Sequence, residues 1–181
     1  KDPEYPQVRG GRIDERDLVA EWQAAHPAGA FVWNAAQFKA LDFANVDRVF
    51  GLFQPGHMQF SHDRPQDAAG EPTLAEMVGA SITRLQREPK GYLLIVEAGR
   101  IDHAHHAGNA YRALTDTVAL SEAVQVAVDR ISADDTLIIV TADHSHVLNF
   151  AGYSVRGNPI LGKVADAHGT LDTDLMGLPY T

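Results

Sequence analysis

The chain has 181 residues, of which 45% are hydrophobic and 22% are charged, with 15 Gly, 9 Pro and no Cys. This composition is typical of a globular protein and excludes disordered, collagen-like and low-complexity classes. The net charge of −9 argues against binding to nucleic acid or anionic lipid, although a bound metal ion would still allow an anionic substrate. No run of about 20 apolar residues is present, which excludes a membrane-spanning helix in this segment. Without Cys, neither a disulfide nor a thiolate zinc site can form.

The first third of the chain predicts one helix and two short strands. Apolar residues at helical spacing predict a helix over Arg12–Ala25. Phe31–Trp33 and Asp47–Phe53 are short apolar runs that predict strands. The polar stretch from Gly56 to Glu71 is rich in Gly, Pro and Asp, which predicts a long surface excursion.

The remainder predicts a helix followed by a strand–helix–strand unit. Thr73, with Glu76 three residues later, forms a capping box that opens a helix towards Arg87. Tyr92–Val96 and Thr136–Thr141 are continuous apolar runs typical of strands covered on both faces, and a long helical pattern over Tyr111–Ile131 lies between them. This order predicts a parallel sheet and an α/β fold, in which ligands gather at the carboxyl ends of the strands.

Acidic and imidazole side chains follow both of these predicted strands. Five of the nine histidines lie there, each close to a carboxylate. The candidates are Glu97, Asp102, His103, His105 and His106 after the first strand, and Asp143, His144 and His146 after the second.

These residue types suit zinc, and without Cys they are the strongest zinc ligands available. Asp102 and His106 stand four residues apart, so on a helix they face the same way and can grip one ion. Asp143 and His144 are adjacent, a spacing that suits a strand end. Because at least five candidates exceed the needs of one catalytic zinc, two ions are favoured, which points to hydrolysis of a phosphoester or related bond. The pattern alone does not separate phosphatase, sulfatase, nuclease and aminopeptidase.

The other four histidines are interpreted as surface or hydrogen-bonded residues without a chemical role. They are His26, His57, His62 and His168.

Three segments carry a resemblance to a known family. Val96–His106 (VEAGRIDHAHH), Ala110–Thr117 (AYRALTDT) and Thr141–Val147 (TADHSHV) resemble the alkaline phosphatases, in the branch that includes the animal enzymes. The likeness extends from Asp2–Pro6 to Gly152–Tyr153 and beyond. It implies that residues 1–181 are the central portion of a single domain, part of a three-layer sandwich with a mostly parallel sheet and helices on both faces.

The resemblance also implies the roles of individual residues. It places a first zinc on Asp102 and His106, a second zinc on Asp143 and His144, and a magnesium ion on Glu97. It implies that His146 orients the carboxylate ligand of the first zinc, and that His103 contacts bound phosphate directly or through water. His105 receives no role.

The departures from the family pattern concern the nucleophile. The family uses a serine in an Asp-Ser-Ala motif, and no such motif occurs here. The family's phosphate-gripping arginine, its bridging carboxylate and a late zinc-binding histidine are also unmatched. In the family these belong to segments before Lys1 and after Thr181, and the Pro- and Gly-bearing loops at both ends are typical of a segment of a longer chain. We therefore expect the nucleophile outside residues 1–181.

A peripheral calcium site of the animal branch is only partly matched. It uses the carbonyl at the position of Phe53, a Glu where this chain has Gln54, and an Asp where it has Glu71. The lost charge at Gln54 weakens the case for calcium.

The resemblance implies phosphate monoester hydrolysis at alkaline pH through a phosphoserine intermediate, in a homodimer exported to the periplasm or the cell surface. We expect residues 1–181 alone to be inactive. Two alternatives stay open: a non-catalytic metal-binding module, and a sulfatase or phosphomutase relative with the same metal-bearing sheet.

Overall fold

The structure, a computed structural model, describes residues 10–146, 155–159, 162–166, 168–171, 173 and 176. The segments Asp2–Pro6 and Gly152–Tyr153, which carry part of the resemblance, lie outside these described residues. In chain order the elements are α1 (Leu18–Ala25), β1 (Ala30–Val32), α2 (Ala35–Lys39), β2 (Val49–Gly51), a 3-10 turn (Arg64–Gln66), α3 (Leu74–Leu85), α4 (Arg100–His106) and α5 (Ala110–Arg130).

The two strands pair in parallel and confirm the strands expected in the first third of the chain. Ala30 pairs with Val49 and Val32 with Gly51, while α2 forms the crossover between the strands. Behind this sheet, buried Val32 packs with Phe38 of α2 and with Phe53 in one apolar cluster. The chain is therefore a mixed α/β structure with a small parallel sheet.

The second apolar cluster lies between α3 and α5. Val78 and Ile82 of α3 are buried against Ala123 of α5. Helix α5 confirms the predicted helical pattern and ends at Arg130, just before the Ser132–Asp135 turn. Helix α5 therefore packs against both α3 and α4.

Among the described residues, no helix is both long and apolar enough to cross a membrane.

The predicted capping box of α3 is confirmed. The Thr73 hydroxyl accepts the Glu76 amide at 2.9 Å, and the Glu76 carboxylate accepts the Thr73 amide at 2.8 Å.

We expect Thr73→Ala to lower the free energy of unfolding by about 1 kcal/mol, because it removes the cap of an otherwise unsatisfied helix terminus. Urea unfolding measures the change. Thr117→Ala is the matched control, since among the described residues its hydroxyl donates to the Ala113 carbonyl within α5 and caps no helix terminus. Equal stability of the Thr73 and Thr117 variants would contradict the capping role.

The prediction of buried strands at Tyr92–Val96 and Thr136–Thr141 is wrong for this structure. Both segments are irregular, and within the described residues neither pairs with another strand. Leu93, Ile95, Leu137 and Ile139 are 82%, 82%, 83% and 76% exposed. The apolar runs have the composition of buried strands, but a strand also needs a neighbour to complete its hydrogen-bonded ladder. The expected strand–helix–strand unit therefore keeps its helix, α5, and lacks its strands.

Two further boundaries differ from the sequence prediction. The helix predicted from Arg12 begins only at Leu18, because the Asp17 carboxylate caps it by accepting the Ala20 amide. The excursion from Gly56 to Glu71 is not wholly on the surface, since Glu71 is only 4% exposed. The polar composition gave no sign that this stretch packs against α4 and α5.

Candidate metal centre

Helix α4 places Asp102 and His106 on the same face, as their spacing predicts. The His106 Nε2 atom lies 3.4 Å from the Asp102 Oδ2 atom. The fully buried Ala104 anchors the helix, which ends at His106, and Gly108 just beyond it has a positive φ of 60° that favours glycine. Asn109 then caps α5, so that α4 is held against α5 by a tight turn.

The segment after residue 142 brings two more imidazoles to Asp102. The His146 Nε2 atom lies 3.3 Å from Asp102 Oδ1, and the His144 Nε2 atom lies 3.6 Å from the same oxygen. His144 Nε2 also lies 3.4 Å from the Asp143 carboxylate. Asp102 is therefore the point at which the two sequence-predicted pairs meet.

The spacing of these atoms fits shared coordination of zinc. Tetrahedral zinc with ligands at about 2.0–2.1 Å places neighbouring ligand atoms about 3.3–3.4 Å apart. The Asp102–His106 and Asp143–His144 separations, both 3.4 Å, agree with this value and exceed the usual length of an N–H···O hydrogen bond. Across the described ranges, Asp102, His106 and His146 offer ligand atoms within 4.8 Å of one another. The donor set is of the kind that zinc takes.

A backbone contact prepares His144 as a ligand. The His144 Nδ1 atom lies 2.7 Å from the Ser145 carbonyl oxygen. Because a carbonyl only accepts, Nδ1 carries the proton, and in the neutral imidazole Nε2 is left with a lone pair. The Ser145 carbonyl and then the Asp143 charge raise the pKa of His144, so metal binding there displaces a proton at low pH.

His103 points to a different group of partners. Its Nδ1 atom lies 3.1 Å from Nη1 of Arg100, and its ring lies 4.2 Å from the His57 ring. Burial is the largest cause that lowers the pKa of His103, with His57 and Arg100 adding to it. His57 is exposed, as predicted, but its contact with His103 was missed because no sequence spacing links residues 46 apart.

The Gly56–Glu71 excursion packs against Arg100 and Arg112 through Phe60. Phe60 lies under two guanidinium groups, with its ring centroid 3.6 Å from Cζ of Arg100 and 4.9 Å from Cζ of Arg112. The Ser61 amide donates to both oxygens of buried Asp116 at 3.2 and 3.3 Å. Burial is the main cause that raises the pKa of Asp116. These contacts explain why the excursion packs against α4 and α5.

The remaining predicted site residues lie at the edge of this arrangement. Glu97 is exposed, and its Oε1 atom is 3.2 Å from where a Cβ on Gly99 would lie. Neither Glu97 nor Asp143, whose side chain is 88% exposed, belongs to the three-ligand group around Asp102. His105 packs its ring 4.9 Å from that of His146, a contact that gives it a neighbour at the site.

A second oxygen-rich cluster lies at the two ends of the excursion. Gln54 donates to Asp67 Oδ2 at 3.2 Å, and the Gln59 amide donates to Glu71 Oε1 at 2.8 Å. Within the described residues, Asp67 Oδ1 and Glu71 Oε2 are buried without a hydrogen-bond partner. Burial raises the pKa of Glu71, and the nearby Asp67 charge raises it further. Two orphaned carboxylate oxygens are an arrangement that a hard cation would satisfy.

The sequence of this chain matches a known protein family. Residues 1–180 match the family model of alkaline phosphatase. The chain is 48% identical to the tissue-nonspecific alkaline phosphatase of Gallus gallus, over 99% of this chain and 34% of that protein. It is 45% identical to the Homo sapiens tissue-nonspecific isozyme, over 86% of this chain and 30% of that protein. The chain thus spans about a third of the length of these relatives.

Solved structures give the same result. The alkaline phosphatase of Thermus thermophilus superposes with a TM-score of 0.58 at 35% identity, over 65% of this chain and 24% of that chain. A cold-active alkaline phosphatase from a psychrophilic Shewanella species superposes with a TM-score of 0.52 at 22% identity, over 67% of this chain and 29% of that chain, a likeness of fold alone.

Proposed function

This chain belongs to the alkaline phosphatase family, and on that premise we propose that the full-length protein hydrolyses phosphate monoesters. Residues 1–181 supply part of its metal centre. The observation that carries this proposal is the position of Asp102, whose two carboxylate oxygens lie 3.3–3.6 Å from the Nε2 atoms of three histidines.

The chain's residues divide between two zinc ions. Asp102 Oδ2 lies 3.4 Å from His106 Nε2, and this pair would hold the first ion; His144 Nε2 lies 3.4 Å from the Asp143 carboxylate, and this pair would hold the second. His146 contacts Asp102 Oδ1 and orients this carboxylate, a contact that supports a positioning role. When bound, the ions supply a lowered pKa for an oxygen nucleophile and stabilise charge on the leaving oxygen.

A serine outside residues 1–181 acts as the nucleophile. Its oxygen bonds to phosphorus as the alcohol leaves, and water then releases phosphate from the phosphoserine. None of the chain's serines stands in an Asp-Ser-Ala motif. His103 lies beside this centre and donates to phosphate.

We expect full-length protein to hydrolyse p-nitrophenyl phosphate and residues 1–181 alone to show no turnover, because the nucleophile is absent from them. Release of p-nitrophenol at alkaline pH measures both, and p-nitrophenyl sulfate is the control substrate that would reveal a sulfatase. Turnover by residues 1–181 would overturn the external nucleophile. Preference of the full-length protein for the sulfate ester would overturn the phosphatase proposal.

Glu97 would be the ligand that this chain supplies to a magnesium ion. A single carboxylate with several waters is the coordination that magnesium commonly accepts, and the exposure of Glu97 leaves room for that shell.

Calcium fits the cluster of Gln54, Asp67 and Glu71. This chain has Gln54 where the family carries a Glu, but Asp67 places a carboxylate beside it. We expect calcium to raise the melting temperature of the full-length protein, because it would satisfy the two orphaned oxygens. Glu71→Gln should abolish this calcium-dependent rise, whereas Glu88→Gln, at an exposed site on the surface after α3, should retain it. A melting temperature independent of calcium would contradict the site.

The fold and assembly follow the family. In the full-length protein, Tyr92–Val96 and Thr136–Thr141 become central strands of a three-layer sandwich, and residues 1–181 are the central portion of that single domain. The exposed Leu93, Ile95, Leu137 and Ile139 support this, because such apolar side chains are normally covered. We further propose a homodimer located in the periplasm or at the cell surface.

A further inference from the structure

Arg100 lies between the excursion, where it contacts Phe60, and His103, which is adjacent in the chain to Asp102 of the metal centre. Its guanidinium stacks on Phe60 at 3.6 Å, and the nearby charge of buried Asp116 compensates its own. Its Nε atom is nevertheless buried without a hydrogen-bond partner among the described residues. A buried donor left unpaired costs about 1–3 kcal/mol, so the stability of the fold does not by itself explain an arginine here.

The contact between Arg100 and His103 has a definite chemical consequence. Nη1 of Arg100 lies 3.1 Å from Nδ1 of His103. Arginine only donates, so Nδ1 must accept, and the neutral imidazole then carries its proton on Nε2. His144 is held in the opposite way, because its Nδ1 faces the Ser145 carbonyl and its Nε2 keeps the lone pair. One imidazole is thus prepared to bind a metal ion and the other to donate a hydrogen bond.

We propose that Arg100 is a positioning residue that fixes His103 in its Nε2–H form and so makes it a hydrogen-bond donor to phosphate. The inference rests on the proposed function, in which His103 donates to phosphate. It adds Arg100 as the residue that fixes the proton of His103 on Nε2, and the Gly56–Glu71 excursion as the segment that holds Arg100 in place. The Phe60 ring keeps the guanidinium plane in place, and the contacts of Ser61 with Asp116 hold that ring against α4 and α5.

Inhibition of the full-length enzyme by inorganic phosphate tests the proposal. We expect Arg100→Met to weaken phosphate inhibition about ten-fold, the effect of losing one charge-assisted hydrogen bond. Arg112→Met is the matched control, because it removes a guanidinium from the same Phe60 ring without touching His103, and it should change the inhibition constant less than two-fold. Zinc content and melting temperature identify any variant that is simply misfolded. If Arg100→Met is misfolded, Arg100→Gln, which keeps a polar group at this partly buried position, replaces it in the comparison of inhibition constants with Arg112→Met.

A double-mutant cycle with His103→Ala separates a positioning role from direct binding. If Arg100 acts through His103, Arg100→Met adds no further loss in the His103→Ala background. An equal loss in both backgrounds would show that Arg100 binds phosphate itself and would overturn the proposal, as would an unchanged inhibition constant in Arg100→Met alone. The phosphatase proposal is tested separately, by hydrolysis of p-nitrophenyl phosphate in the unmodified enzyme.

Discussion

Asp102→Ala in the full-length protein should remove bound zinc and lower phosphatase activity by more than about 100-fold. The residue contacts all three imidazoles of the site, so its loss disturbs both ion positions at once. Residues that merely support metal ligands already change affinity or activity about 10–100-fold, and a direct ligand should have at least that effect. Elemental analysis and p-nitrophenyl phosphate hydrolysis measure the two quantities on one preparation.

The control for this variant is Asp134→Ala, which removes an exposed carboxylate from the turn after α5. It should leave both zinc content and activity unchanged. His144→Ala should resemble Asp102→Ala in direction, because His144 lies between Asp102 and Asp143. Full zinc content in the Asp102 and His144 variants would count against the ligand assignment.

Asp116→Ala should be strongly destabilising, costing about 2–4 kcal/mol of unfolding free energy. The buried carboxylate accepts the Ser61 amide with both oxygens and faces the charge of Arg100. Its removal leaves the partly buried Ser61 amide without its acceptor and takes away the largest compensating charge near the partly buried Arg100 guanidinium.

Thermal unfolding of the full-length protein measures this cost, and limited proteolysis tests its location. Cleavage should increase between residues 56 and 71, because the Ser61 contact fastens the excursion to α5. Asp129→Ala is the control, since this carboxylate is exposed on α5 and bonds only Gln125 among the contacts described. Equal melting temperatures for the two variants would refute the fastening role of Asp116.

Local rules predicted those parts of the structure that depend on neighbours in the chain. The capping box of Thr73, the extent of α5 and the shared face of Asp102 and His106 each follow from a spacing of three or four residues. The proximity of Asp102 to His144 and His146 was predicted indirectly, because these residues follow two predicted strands whose carboxyl ends would lie at one edge of a sheet. That juxtaposition is observed even though the strands themselves are not.

The parts that the sequence did not reveal depend on long-range partners. Apolar runs at Tyr92–Val96 and Thr136–Thr141 have the composition of strands, but strand pairing is decided by segments elsewhere in a structure. The packing of Phe60 under Arg100 and of His57 on His103 joins residues 40 and 46 positions apart. A polar, Gly-rich stretch gives no periodic pattern from which such contacts can be predicted.

The most direct test of the central claim is zinc stoichiometry measured together with phosphatase activity in the full-length protein. Two zinc ions per chain are expected, with activity lost on chelation and restored by adding zinc back. The same cycle in the Asp102→Ala variant should restore neither. An active protein that retains its activity without zinc, or a variant that binds zinc as the unmodified protein does, would contradict the assignment of Asp102 and its histidines as the metal centre.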